Sequence, residues 1–129
     1  MTSVVDTHAL VSFLEGSSQL SMASRNALSD TAAQVVVPTI VLAEITFLYA
    51  RHRIAIDLPH VLAHIASAAN CLAYPLDGAV VECLPTTLNI HDAIIVATAL
   101  VFQDVLSERT AVVTKDADIT ASGLVEVLW

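Results

Sequence analysis

The chain has 129 residues, so residues 1–129 are expected to form one domain with a single core. Its net charge is −8 with only five Lys and Arg, which excludes a protein that grips nucleic acid through a broad basic face. Contact with a few phosphates through divalent ions stays open, because such ions bring their own positive charge. Hydrophobic residues reach 56 % and charged residues only 14 %. That excess, over the roughly 45–50 % of an ordinary domain, predicts a homodimer or a covering partner peptide.

The first predicted strand is "SVV" (3–5), and "MTSVVD" carries no positive segment followed by an apolar export segment, which makes the cytoplasm the expected location. Asp6 follows, then a helical stretch, "ALVSFL", and a shorter helix, "SMASRNALS" (21–29). "QVVV" (34–37) is the second strand, and Pro38 and Thr39 suit the start of a long helix, "TIVLAEITFLYARHR" (39–53). A further helix, "DLPHVLAHIASAAN" (57–70), opens with Asp57 as cap and Pro59 in its first turn. The third strand is "CLAY" (71–74), and a short helix, "DGAVVECL" (77–84), follows it. Cys71 and Cys83 have no metal or disulfide spacing, and both are expected to be reduced and buried.

The third long helix, "NIHDAIIVATALVFQ" (89–103), contains the longest apolar run, 93–102, which Thr98 interrupts. It falls well short of the roughly 18–20 residues of a membrane span. "AVVT" (111–114) and "VEVL" (125–128) complete the strands. Val-rich strands that alternate with helices, without clean polar alternation, predict an α/β fold with a parallel sheet covered on both faces.

Ligands of such sheets gather beyond the carboxyl ends of the strands, where strand order reverses. Asp6 ends the first strand and Asp116 follows the fourth, so both should emerge on one edge. Asp6 alone is explained by helix capping. Glu44 lies among Ile40, Val41, Phe47 and Leu48, where a lone carboxylate is costly to bury. A salt bridge to Arg51 or Arg53, or an outward-reaching side chain, would account for it. Asp92 sits beside Ile95 and Val96, although an acid in a first helical turn is also stabilised by the helix dipole. Asp118 is expected to be the surface cap of the last short helix, with either it or Asp116 as the fourth acid.

If the four acids converge, they repel. Two carboxylates about 4 Å apart cost on the order of 4 kcal/mol at an effective dielectric near 20, so the site calls for Mg²⁺ or Mn²⁺. A carboxylate-held ion that activates water suits phosphodiester hydrolysis. Thr7, Thr114 and Lys115 are weaker candidates for positioning substrate or metal, since each also fits plain turn chemistry.

The stretches "VVDTHAL" with Asp6, "PTIVLAEITFLYAR" with Glu44, "HDAIIVATAL" with Asp92 and "AVVTKDADI" with Thr114 and Asp116 resemble the PIN-domain family, and within it the VapC-type ribonuclease toxins of bacterial toxin–antitoxin pairs. The resemblance spans nearly the whole chain. It implies a three-layer α/β/α sandwich with a mostly parallel five-stranded sheet, a homodimer and Mg²⁺-dependent RNA cleavage. It also implies catalytic Asp6, Glu44, Asp92 and Asp116, a metal held by Asp6, Asp92 and Asp116, and inhibition by a cognate antitoxin. A stand-alone RNA-processing enzyme or an inactive relative would fit the same stretches.

A receiver module and two kinds of histidine metal site fit less well. A phosphoryl-accepting receiver module needs an acidic pair at the first strand and a phosphorylatable Asp after the third, where only Asp77 stands, in a helix-cap position. His91–Asp92 has the residue pair of an HD-type phosphohydrolase, but that fold would be all-helical. His60 and His64 have the spacing of a zinc pair, but Val61 replaces the Glu of H-E-x-x-H.

Overall fold

The computed structural model describes residues 1–129. β1 (Thr2–Val5) leads through Asp6 into α1 (Thr7–Leu14), and α2 (Met22–Ser29), β2 (Gln34–Pro38) and α3 (Thr39–Ala50) follow. Next come α4 (Leu58–Ser67), β3 (Cys71–Tyr74), α5 (Gly78–Glu82) and α6 (Ile90–Leu100), then β4 (Thr110–Val113), α7 (Ala117–Ser122) and β5 (Glu126–Leu128). The strands make one sheet in the order β3-β2-β1-β4-β5 with every pair parallel.

All residues of β1 and β4 are buried. Successive strand side chains point to opposite faces, so helices must cover both, giving the three-layer α/β/α sandwich. Val4, Val5, Val36, Val37, Val112 and Val113 form its centre, each with 0 % exposure. Their β-branched side chains fill a pleated surface and explain why strands this short hold their place.

The helix ends differ from the sequence expectation. The helix expected over 39–53 stops at Ala50, because His52 adopts a left-handed conformation (φ 56°). The His52 N–H then donates to the Tyr49 carbonyl and the Arg53 N–H to the Leu48 carbonyl, which is a Schellman ending without glycine. The helix over 57–70 ends at Ser67, where Ala68 turns extended, and the helix over 89–103 passes into a π-helical turn at Val101–Val105. Cys71 and Cys83 are free but only half-buried, since β3 lies on the sheet edge and Cys83 ends α5. No helix is long and apolar enough to cross a membrane.

Ile45 lies on α3 with 0 % exposure, whereas Ile90 is 69 % exposed. Ile45→Val is therefore expected to cost about 0.5–1.5 kcal/mol and Ile90→Val under about 0.5 kcal/mol. Urea-unfolding midpoints measure both.

Candidate active site

The site is assembled at the carboxyl edge of the sheet, where β1 lies between β2 and β4 and strand order reverses. β1 and β4 pair with Val5 opposite Val113, so the residues that follow them emerge together. The Asp6 N–H donates to the Val113 carbonyl at 3.3 Å. One Asp6 carboxylate oxygen caps α1 by accepting from the Ala9 N–H at 2.7 Å, and the other accepts from the Thr114 hydroxyl. Thr114 Oγ1 in turn accepts from the Asp116 N–H at 3.0 Å. Asp6 is thus a helix cap and a cleft acid at once, and the buried Thr114 ties it to Asp116.

Asp116 caps α7, accepting from the N–H groups of Asp118 and Ile119 at 2.9 and 3.0 Å. This corrects the expectation that Asp118 is the cap: Asp118 lies inside the first turn of α7 and is exposed. Asp92 stands in the first turn of α6, with Asn89 as the N-cap. The Asn89 side chain donates to the Asp92 carboxylate at 2.7 Å and accepts the Asp92 N–H at 3.0 Å. Glu44 projects from the middle of α3 to His91 Nδ1, 2.9 Å away. Its partner is therefore neither Arg51 nor Arg53. Arg51 instead lies over the Phe47 ring, 4.7 Å from its centre.

Asp6, Glu44, Asp92 and Asp116 all line one polar cavity of 380 Å³, together with Thr7, His8, Asn89, His91 and Ile95. Within this group the carboxylates of Asp92 and Asp116 lie with that of Asp118 within 4.8 Å of one another. Asp118 itself lines the adjoining cleft, with Thr87 and Ser122. Asp6 and Glu44 share the cavity without belonging to that tight trio.

Burial pushes the Asp6 carboxyl above its ordinary 3.8, against hydrogen bonds from Thr114 and Ala9 and the nearby His8, and the charge of Asp116 adds to the rise. Asp92 is also raised, first by burial and then by Asp116 and Asp118, while the Asn89 hydrogen bond opposes the shift. Asp116 thus repels an acid on each side.

The weaker candidates divide. Thr114 is the hydroxyl link between Asp6 and Asp116, and Thr7 is buried with its Oγ1 unpartnered beside the cavity. Lys115 is exposed and is not part of the cavity lining; its Nζ lies 5.5 Å from the centre of the Trp129 ring. Asn89, His8 and His91 were not among the expected site residues. Asn89 was legible as an N-cap three residues before an acid, but the His91 contact joins residues 47 positions apart on different helices, which no local pattern announces. His60 turns to Asp57, and His64 packs edge-on against Phe13.

The chain matches the PIN domain family over residues 3–122 and belongs to that family. Its fold is similar to that of a chain in the VapBC2 complex of Rickettsia felis bound to a DNA fragment from its promoter, with a TM-score of 0.66 and 13 % identity over 99 % of this chain and 98 % of that one. Among curated proteins none matches this chain. The parallel sheet excludes the all-helical HD alternative, and Asp77, the receiver candidate, caps α5 and accepts from the Tyr74 hydroxyl at 3.0 Å.

Proposed function

We propose that the protein is a metal-dependent endoribonuclease and the toxin of a VapC-type toxin–antitoxin pair. The observation that carries this reading is the convergence of Asp6, Glu44, Asp92 and Asp116, from four separate elements, on one cavity. Membership of the PIN domain family supports it, and so does the likeness to a chain of the Rickettsia felis VapBC2 complex.

The donor set suits a hard divalent cation, because it consists of carboxylate oxygens that burial and mutual repulsion leave short of positive charge. Asp6, Asp92 and Asp116 would hold Mg²⁺ or Mn²⁺, with Asp118 on the outer side. An ion bound there supplies Lewis-acid polarisation of a phosphodiester oxygen and a water of lowered pKa. Thr114 fixes Asp6, Asn89 fixes Asp92, and Glu44 is the carboxylate left to accept a proton from the attacking water. Purified protein should cut RNA with Mg²⁺ or Mn²⁺ and stop with EDTA. An RNA left intact under every divalent ion tried would contradict the activity.

The same cavity suggests how an antitoxin would silence it: an Arg side chain entering the acids could pair with them bidentately in place of the ion. The apolar excess supports a covered surface. α3 buries only Val41 and Ile45, leaving Phe47 61 % and Tyr49 45 % exposed. Light scattering should report a homodimer, or a heteromeric complex on co-expression with the antitoxin. A monomer that stays soluble at high concentration would remove this part of the reading.

A further inference from the structure

We propose that His91 is a positioning residue that holds Glu44 out of the metal's ligand set, keeping it available as a proton acceptor; this rests on the metal-nuclease reading above. Glu44 lines the same cavity as Asp6, Asp92 and Asp116, but it reaches that cavity from the middle of α3, whereas Asp6 and Asp116 stand at the carboxyl edge of the sheet, tied to each other through Thr114. Its side-chain partner is His91 Nδ1, at 2.9 Å. His91 precedes Asp92 on α6, so one helical turn presents both a ligand and the clamp on the acid opposite.

The rest of the ring indicates why a histidine stands there. His91 Nε2 is buried and has no hydrogen-bond partner. A ring needed only for packing would be better as phenylalanine, which carries no polar atom to strand. The contact that histidine gains over phenylalanine is the one to Glu44. Nδ1–H donated to one carboxylate oxygen fixes the direction of the group and ties up a lone pair that a metal would otherwise draw. Freed from this bond, Glu44 would add another negative ligand to an all-carboxylate site, and affinity for a divalent ion rises with ligand charge.

The test is calorimetric titration of Mn²⁺ into metal-stripped wild type, His91→Phe, His91→Asn and the double variant Glu44→Gln/His91→Phe, with cleavage of total RNA measured in parallel. His91→Phe brings a somewhat larger apolar ring and removes the unpartnered nitrogen; because the His91 side chain is 31 % exposed the larger ring has room, and the melting temperature should stay close to the wild type's. It is expected to bind Mn²⁺ roughly tenfold tighter while cutting RNA roughly 10–100-fold more slowly, the range typical of outer partners of a metal site. His91→Asn, whose amide nitrogen falls near the position of Nδ1, should recover most of both properties. In the double variant the gain in affinity should vanish, because it requires the Glu44 carboxylate. A folded His91→Phe protein that binds Mn²⁺ as well as or more weakly than wild type would overturn the proposal while leaving the metal-nuclease reading intact. A wild type that binds no Mn²⁺ would overturn both.

Discussion

Asp92→Asn is expected to abolish RNA cleavage and leave the fold standing. The substitution preserves shape, and its side-chain oxygen can still accept the Asn89 amide that now bonds Asp92 at 2.7 Å. It removes a favourable charge from the first turn of α6, worth roughly 0.3–1 kcal/mol. It also relieves the burial and the repulsion from Asp116 and Asp118 that push the Asp92 carboxyl up. These effects oppose one another, so stability should change little. Activity should not survive, because Asp92 belongs both to the tight trio and to the four-acid cavity. Loss of a direct ligand should exceed the roughly 10–100-fold cost of losing an outer partner. Cleavage assays on the two proteins, purified in parallel, check this, with thermal melts confirming the fold. Equal cleavage by both would show that a contaminating nuclease, and not this site, was at work.

Metal-stripped protein is expected to lose stability as pH rises above about 3.8. Asp6 and Asp92 both carry folded-state pKa values raised above that ordinary value. Between the unfolded and folded values the native state binds more protons than the unfolded state. The stabilisation is therefore complete below the unfolded value and is lost as pH passes through the folded values. Mg²⁺ should reverse the loss, since it binds only the native cluster: about 2.7 kcal/mol at a hundredfold excess over Kd, or on the order of 10 °C in melting temperature.

Asp6→Asn separates the two roles of Asp6. Asn caps helices about as well as Asp, so the bond from the Ala9 N–H should persist. Removing the buried charge offsets any loss at Thr114, and the apo melting temperature should stay the same or rise. Cleavage and most of the Mg²⁺ response should disappear. Melts of both proteins at neutral pH, with and without Mg²⁺, measure this. If cleavage and metal response both survive the substitution, Asp6 is only a cap.

Strand positions were legible almost to the residue, because runs such as "QVVV" and "AVVT" combine β-branched content with polar punctuation and leave little else for the chain to do. Helix ends were less so. α3 ends in a Schellman turn at His52, a residue type that gives no stop signal of the kind glycine would. At α7 two acids two positions apart could each cap, and only the Thr114 hydroxyl bonded to the Asp116 N–H fixes which one does.

The parallel sheet and the β1–β4 neighbourhood made the approach of Asp6 and Asp116 foreseeable from strand ends alone. The placement of Glu44 was not, because its partner lies on α6 and depends on how α3 and α6 pack. The close approach of Asp118 to Asp92 likewise depends on where α7 is set against α6.

The central claim is that acids from separate elements form one divalent-metal site. Anomalous diffraction from crystals grown with millimolar Mn²⁺ tests it most directly. A peak is expected between Asp6, Asp92 and Asp116, at about 2.0–2.2 Å from the bound carboxylate oxygens, as for other divalent metal–carboxylate contacts, with Glu44 still on His91. An anomalous map without a peak among these carboxylates would contradict it.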